Sequence, residues 1–245
     1  MAATRPIRLV LVHGTRLSGT QWAPYAGRFG DVEVSTPDLP GHGTRMGEPF
    51  TTEAALAAID EAVRPGGRSR PEPAVVLVGH SLGGYMATTY AAAHPRTLAG
   101  LVLVGASAVP TGPGAAAYRL LGRVLQRAGD ARAGAVANRV IARLAGRDVL
   151  DAVVAGGTSY EATTAAWEAV LRDCRPEQLA EVACPVLVVG GQFDQLAIHA
   201  RRYAAAARQS RVVIVPRATH FLPLTHVDEL TAIVRDFVTE VASDT

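Results

Sequence analysis

Residues 79–84, with the sequence GHSLGG, constrain the fold of this chain more than any other stretch. They follow four apolar residues, 75–78, that have the composition of a short buried strand. Beyond Leu82 apolar residues recur at helical spacing, so the pattern predicts a strand, a sharp turn and a helix. Ser81 stands at the apex of that turn. The glycines around it allow the close backbone approach that such a turn needs.

The predicted position of Ser81 suits a nucleophile. A strained strand-to-helix turn holds a serine hydroxyl clear of the backbone, and the next helix directs its free N–H groups and its positive dipole end at the same point. An oxyanion formed beside the hydroxyl would be stabilised there. The alternative is a glycine-rich turn whose serine only caps the helix. The placement between an apolar strand and an amphipathic helix favours the catalytic interpretation.

Short apolar runs alternate with amphipathic helices through most of the chain. Besides residues 75–78, the runs that we interpret as strands are residues 8–12, 32–35, 101–104, 185–189 and 212–215. Continuous apolar runs of this length are typical of a parallel sheet covered by helices on both faces. The sequence therefore predicts an α/β fold, with a mainly parallel sheet of about six strands flanked by helices.

The alternation stops between residues 107 and 180. Alanine, arginine and glycine dominate this region, and its apolar residues fit amphipathic helices rather than strands. We predict that residues 1–106 and 181–245 form the α/β core and that residues 107–180 form an inserted helical cap or lid.

Composition and charge argue against several other classes of protein. The formal net charge of the 245 residues is only +2, and the arginines are scattered, so nothing indicates a nucleic-acid surface. No apolar run approaches the roughly 18 residues of a membrane span, and the N-terminus lacks the apolar region of a secretory signal. Cys174 and Cys184 are expected to be free thiols of a cytoplasmic protein. The expected partner is a small-molecule substrate, with no cofactor and no metal, and the oligomeric state is left open.

A nucleophilic serine needs a base to take its proton and a carboxylate to fix the tautomer of that base. The carboxyl ends of parallel strands share one edge of the sheet, where ligands bind. Asp194 follows the fifth predicted strand and His220 the sixth, and the order Ser, Asp, His is the one expected for this kind of turn. We therefore predict Ser81 as nucleophile, His220 as base and Asp194 as acid. His226 is the one alternative base.

Two backbone N–H groups are candidates for an oxyanion hole. Leu82 follows the nucleophile and offers its N–H at the start of the helix. The second donor is expected in the loop after the first strand, where the N–H of Thr15 is the first choice and that of Arg16 the alternative. Loss of one such donor typically lowers the rate by a factor on the order of 10²–10³.

Five motifs together resemble those of the α/β-hydrolase superfamily and cover nearly the whole chain apart from the insertion. They are His13-Gly14 and the segments at residues 38–43 (DLPGHG), 79–84 (GHSLGG), 190–194 (GGQFD) and 219–221 (THF). The resemblance implies the α/β-hydrolase fold with a helical cap. It also implies a triad of Ser81, Asp194 and His220.

The leading functional hypothesis is hydrolysis of a carboxylic ester, thioester or lactone of a small, largely apolar substrate through an acyl-Ser81 intermediate. C–C bond hydrolysis and an acyl-transferase or cyclase activity use the same triad and stay open. So does a non-catalytic small-molecule binder on the same fold. Dehalogenation and epoxide opening are disfavoured, because they need a carboxylate in place of Ser81.

Substrate contacts are predicted from two places in the sequence. Arg16, close to the expected oxyanion hole, is a candidate ligand for a substrate carboxylate, and the alternative is a solvent-exposed loop charge. The insertion supplies the candidate apolar lining, namely Leu120, Leu121, Val124, Leu125 and Trp167.

Overall fold

The computed structural model describes residues 6–65, 73–112 and 130–243, together with residues 116, 117, 119, 120, 123, 124 and 127. Within them, six strands form one sheet in the order β2-β1-β3-β4-β5-β6, and every neighbouring pair is parallel. The prediction of a parallel sheet of about six strands is confirmed. The strands are β1 (Ile7–Val12), β2 (Glu33–Ser35), β3 (Ala74–His80), β4 (Gly100–Val104), β5 (Val186–Gly191) and β6 (Ser210–Val215).

Helices connect and cover these strands. Within the described residues they are α1 (Thr52–Val63), α2 (Leu82–Ala93), α3 (Asp130–Ala145), α4 (Arg147–Val154), α5 (Thr163–Asp173), α6 (Ala200–Ala206), α7 (Leu222–Thr225) and α8 (Val227–Ser243). Shorter 3₁₀ segments lie at Gly19–Tyr25, Gly43–Arg45 and Pro176–Glu181. In the part of the chain that the structure describes, none of the helices has the length and apolarity needed to cross a bilayer.

The four central strands, β1, β3, β4 and β5, are buried on both faces, and β3 shows how. Val75 and Leu77 belong to one apolar cluster, which also contains residues of α1 and α2. Val76 and Val78 belong to a second cluster on the opposite face, with residues of α8. Successive side chains of a strand point to opposite faces, so a strand covered on both sides has to be apolar throughout. This requirement explains the continuous apolar runs in the sequence.

The chain between β4 and β5, here called the β4–β5 segment (residues 105–185), carries α3, α4 and α5. A small apolar cluster joins this segment to two loops of the sheet-bearing part of the molecule. Ile141, Leu150 and Val153 of the segment pack there with Leu17 and Leu224. The segment is therefore packed against the loops that follow β1 and β6.

The order of the strands creates a crevice at one edge of the sheet. The chain leaves β1 for β2 on one side, whereas it leaves β3 for β4 on the other side. The loops after β1 and β3 consequently diverge at their carboxyl ends, which is the usual ligand position in an open α/β sheet. His13 begins one of these loops and Ser81 begins the other.

Candidate active site

Ser81 lies in the sharp turn between β3 and α2 with φ 53° and ψ −119°. This region of backbone conformation is costly for a residue other than glycine and persists only where the surroundings enforce it. The Ser81 N–H donates to the carbonyl of Val104 at 2.9 Å, and the Gly83 N–H donates to the carbonyl of His13 at 3.1 Å. A Cβ at position 83 would lie 2.5 Å from the carbonyl oxygen of Val12, so only glycine fits there. The two neighbouring strands hold the turn in place.

Ser81, His220 and Asp194 form one hydrogen-bonded chain. His220 Nε2 lies 3.0 Å from Ser81 Oγ, and His220 Nδ1 lies 3.0 Å from Asp194 Oδ1. Because a carboxylate only accepts, Nδ1 carries the ring proton of neutral His220 and Nε2 accepts from the serine hydroxyl. The structure thus brings together the three residues that the sequence singled out.

The Asp194 carboxylate is held in its ionised form. Burial by itself raises its pKa, but the hydrogen bond and charge of His220 and the N–H of Leu196 lower it, and the net pKa lies below the usual value. The Leu196 N–H donates to Asp194 Oδ1 at 2.8 Å. Asp194 can therefore fix the orientation of His220 and stabilise its cationic form.

The alternative base, His226, is engaged elsewhere. Its Nδ1 lies 2.8 Å from the hydroxyl of Thr225, and its Nε2 lies 3.8 Å from a carboxylate oxygen of Glu229. Of the two histidines considered from the sequence, His220 is the one that contacts Ser81.

The two predicted oxyanion donors border the same cavity as Ser81. Leu82 is the first residue of α2, where an N–H has no acceptor within its own helix. The hydroxyl of Thr15 accepts a hydrogen bond from Trp167 Nε1 at 3.0 Å, which ties the loop after β1 to α5. Within the described residues, neither the Leu82 nor the Thr15 N–H has a main-chain acceptor.

A cavity of about 810 Å³ opens beside Ser81 and His220. Its size is that of a small-molecule site. Most of its wall is apolar, with contributions from Leu17, Ala137, Ile141, Val170, Leu171, Leu196, Phe221 and Leu224. Among the described residues of the wall there are two arginines, Arg16 and Arg202, and no carboxylate. No cluster of three or more potential metal ligands occurs in the described ranges.

Arg16 lies in this wall and is only 5% exposed, so the alternative of a solvent-exposed loop charge is wrong. Its backbone has φ 74°, and its carbonyl accepts from the N–H of Ser159 at 3.1 Å. Its guanidinium donates to the side chains of Asn138 and Thr158 and lies 5.6 Å from the ring centre of Tyr160. All four partners belong to the β4–β5 segment, which therefore orients the arginine.

The predicted apolar lining of the cavity divides into three groups. Trp167 borders the cavity. Leu120 and Val124 are 58% and 49% exposed and do not border it, so the structure contradicts their predicted place in the lining. Leu121 and Leu125 lie outside the described residues. Helical periodicity identifies an apolar stripe but not the surface that the stripe faces, which explains the error.

Two residues beside the site were not predicted to take part in it. Gln21 is fully buried and accepts a hydrogen bond from the N–H of Gly14 at 2.8 Å. His80, the residue before Ser81 in the motif at residues 79–84, contacts both Gln21 and His220. No sequence pattern distinguishes an isolated glutamine in a short 3₁₀ segment, so Gln21 could not have been found without the structure.

Comparison with known proteins agrees with this architecture. A family model described as alpha/beta hydrolase family matches residues 9–233. A pimeloyl-(acyl-carrier protein) methyl ester esterase of Aromatoleum aromaticum is 31% identical over 263 residues, covering 94% of this chain and 97% of that protein. Lipase LipV of Mycobacterium tuberculosis is 35% identical over 100 residues, 40% of this chain and 37% of the lipase.

The solved structures include a similar fold with a related sequence. A thermophilic esterase from Thermogutta terrifontis, solved with malate bound, superimposes with a TM-score of 0.76 at 27% identity, over 98% of this chain and 92% of the esterase. The match of the family model over most of the chain, together with the six-stranded parallel sheet, identifies the family. The chain belongs to the alpha/beta hydrolase family.

Proposed function

We propose that this protein hydrolyses carboxylic esters through an acyl-Ser81 intermediate. The observation that carries the proposal is the hydrogen-bonded chain Ser81–His220–Asp194 at the wall of an apolar cavity. Fold by itself does not decide function. The relatives named esterase and lipase, one of them matched along nearly its whole length, support the ester as the class of substrate.

In the proposed acylation step, Ser81 Oγ attacks the ester carbonyl carbon while His220 Nε2 takes the hydroxyl proton. The tetrahedral intermediate collapses as the cationic His220 gives that proton to the leaving alkoxide, and the alcohol departs. The acyl group is left as an ester of Ser81. Asp194 holds the ring of His220 in place and stabilises its positive charge throughout.

Deacylation repeats the sequence with water. His220 takes a proton from water, the hydroxide attacks the acyl-Ser81 carbonyl, and His220 returns a proton to Ser81 Oγ as the carboxylic acid leaves. In both steps the negative carbonyl oxygen lies at the start of α2, where the N–H groups of Leu82 and Thr15 are the proposed donors. The backbone N–H of Arg16 is the alternative to that of Thr15 as the second donor.

The β4–β5 segment is proposed to act as a cap that selects the substrate. It supplies much of the apolar wall, including Trp167 and Ile141, and the wall favours a small, largely apolar acyl group. Arg16 is the proposed ligand of a substrate carboxylate, because a buried guanidinium forms strong, directional hydrogen bonds with carboxylates.

A panel of substrates tests this function. Wild-type protein and Ser81→Ala are incubated with methyl esters, thioesters and lactones of increasing acyl length, and with the methyl ester of a pimeloyl-(acyl-carrier protein) conjugate. Release of acid and alcohol by wild type alone supports the proposal. Transfer of the acyl group to an added alcohol instead of water indicates an acyl-transferase. Cleavage of a β-diketone but of no ester indicates a C–C hydrolase.

A non-catalytic binder gives a different result in the same experiment. It binds a ligand but turns over none of the panel, and Ser81→Ala then leaves its affinity unchanged. Turnover that survives in Ser81→Ala contradicts the proposed nucleophile.

A further inference from the structure

A second chain of hydrogen bonds runs behind the proposed triad. The N–H of Gly14 donates to Gln21 Oε1 at 2.8 Å, and Gln21 Nε2 lies 3.1 Å from His80 Nδ1. His80 Nε2 lies 3.1 Å from the main-chain carbonyl oxygen of His220. This chain connects the loop that carries Thr15 with the backbone of the residue that we propose as the base.

The donors and acceptors along this chain favour one arrangement of protons on neutral His80. The Gly14 N–H can only donate, so it fixes the Gln21 oxygen on its own side and leaves the amide nitrogen facing His80. His80 Nδ1 lies 3.1 Å from the Gln21 amide nitrogen and 3.4 Å from the Gln21 oxygen. The carbonyl of His220 only accepts, so it needs the proton of neutral His80 on Nε2, and Nδ1 then accepts from the amide nitrogen. The proton of neutral His80 is therefore on Nε2, where it donates to the carbonyl of His220.

His80 is buried and borders the cavity beside Ser81. Its ring centre lies 4.9 Å from that of His220, with the ring planes inclined at 34°. A Cβ at Gly14 would lie only 2.8 Å from His80 Nδ1, so the loop after β1 packs directly on the ring. Burial, together with neighbouring His220, lowers the pKa of His80 to about 3. The other charged or titratable groups that act on it are Asp194 and His13.

We propose that Gln21 and His80 are positioning residues. They fix the loop after β1, which carries Thr15, and the main chain of the proposed base His220 relative to Ser81. The inference rests on the proposed function, since it assigns roles within the same reaction. Both residues border the cavity, and their hydrogen bonds go to the loop after β1, to each other and to the main chain of His220. Gln21 fixes the loop through Gly14, and His80 fixes the main chain from which the His220 imidazole extends.

The neutrality of His80 also matters for the reaction. His220 becomes a cation when it takes the proton of Ser81, and a second cation 4.9 Å away would oppose that change. The nearer of the two polar atoms of Gln21 to His80 Nδ1 is the amide nitrogen, at 3.1 Å against 3.4 Å for the oxygen, and a donor at this distance opposes protonation of Nδ1. The chain therefore keeps the neighbour of the base uncharged during turnover.

Two amide substitutions separate the two contacts of His80. The amide of His80→Gln reaches the position of Nε2, so it retains a donor for the His220 carbonyl. The amide of His80→Asn reaches only the position of Nδ1, so it retains the contact with Gln21 and loses the contact with His220. We expect kcat of His80→Asn to fall by roughly 10–100-fold with little change in KM. The lost contact lets the main chain of His220 shift, and a shift of a catalytic group by about 1 Å lowers the rate on that order. His80→Gln is expected to retain kcat within about tenfold.

Gln21→Glu tests the other end of the chain. The substitution preserves shape and the acceptor for the Gly14 N–H, but a carboxylate cannot donate to His80 Nδ1. NMR of ¹⁵N-histidine-labelled protein should show wild-type His80 with its single proton on Nε2 from about pH 5 to pH 9. In Gln21→Glu the Nδ1 of His80 should become protonated and kcat should fall. His226→Gln, which lies outside the site, serves as the matched control.

The outcomes separate this proposal from the proposed function. If wild type hydrolyses esters through Ser81 but His80→Asn and Gln21→Glu keep its kcat, the positioning role is wrong and the function stands. Equal losses in His80→Gln and His80→Asn that follow their loss of thermal stability also overturn it, since they indicate a purely structural role. If wild type turns over no ester, the proposed function is wrong. The NMR measurement still shows which ring nitrogen of His80 carries the proton. If His80→Asn does not fold, His80→Gln, Gln21→Glu and the tautomer decide the question.

Discussion

The two sides of the cavity are built in different ways. On the sheet side, Ser81, Asp194 and His220 follow three strands of one parallel sheet, β3, β5 and β6. On the opposite side, the β4–β5 segment contributes side chains that contact the loop after β1. Trp167 binds the hydroxyl of Thr15 there, and three further residues surround the guanidinium of Arg16.

The difference assigns chemistry to one side and selection to the other. A parallel sheet fixes the ends of its strands through the main chain, so groups placed there keep their geometry whichever substrate is bound. The β4–β5 segment holds the loop through a few side chains and an apolar cluster, so it can vary without disturbing the triad. Substitutions on the sheet side should lower the rate for every substrate, whereas those on the segment side should change the preference among substrates.

The largest expected effect is that of Ser81→Ala. Removal of the nucleophile should lower kcat on any ester by a factor on the order of 10⁶, because the acyl-enzyme can no longer form. The fold should persist, since alanine keeps the Cβ and the backbone conformation of Ser81 and the substitution deletes only one hydroxyl. Steady-state kinetics measures kcat, and circular dichroism of the same variant checks that the fold persists. A kcat within tenfold of wild type would show that the sheet side does not carry the chemistry.

Asp194→Asn should have the next largest effect. Asparagine preserves the shape of the side chain but allows the wrong tautomer of His220, and comparable changes in serine hydrolases lower kcat by about 10⁴. The loss should be the same for short and long acyl esters. A loss that differs strongly between substrates would contradict the division between the two sides, and one below tenfold would remove Asp194 from the triad.

Arg16→Met tests the selecting side with paired substrates. The monomethyl ester of a dicarboxylic acid is compared with a neutral methyl ester of the same length, in wild type, Arg16→Met and Arg16→Lys. The preference for the anionic ester, measured as the ratio of kcat/KM values, should fall by roughly 10–100-fold in Arg16→Met, as expected for loss of a hydrogen bond between charged groups. Turnover of the neutral ester should change little. If both esters lose rate equally, Arg16 serves the geometry of the loop instead.

The smallest expected effect is on stability at acidic pH. Burial lowers the pKa of His13 and His80 to about 3 and also lowers that of His42, from an ordinary value of 6.5. As the pH falls through about 6.5, these histidines take up protons in the unfolded chain but not in the folded chain. The free energy of unfolding therefore decreases as the pH falls. Melting temperatures measured from about pH 7.5 down to pH 5, above the carboxylate range, should decline, and less steeply in His80→Gln. An equal slope in the variant would contradict the neutral state of His80.

The sheet side was the more predictable from the sequence, for a physical reason. Parallel strands buried on both faces produce apolar runs, and their carboxyl ends meet at one edge, so Asp194 and His220 could be placed beside Ser81 without coordinates. The glycines of the turn are likewise dictated by local contacts, as the close approach of Gly83 to β1 shows.

The segment side could not be predicted in the same way. Arg16 is buried only because Asn138, Thr158 and Tyr160, more than 100 residues away in sequence, surround it. Leu120 and Val124 lie on a helical stripe whose pattern gives no information about its partner. Contacts of this kind depend on tertiary packing and leave no local pattern.

Covalent labelling tests most directly whether Ser81 is an activated nucleophile. Wild type, Ser81→Ala and His220→Ala are treated with a fluorophosphonate probe and analysed by intact-protein mass spectrometry, and the modified peptide is then sequenced. We expect one adduct on wild type, located at Ser81, none on Ser81→Ala, and much slower labelling of His220→Ala. An adduct that persists in folded Ser81→Ala, or its absence from folded wild type, would contradict an activated serine at this position.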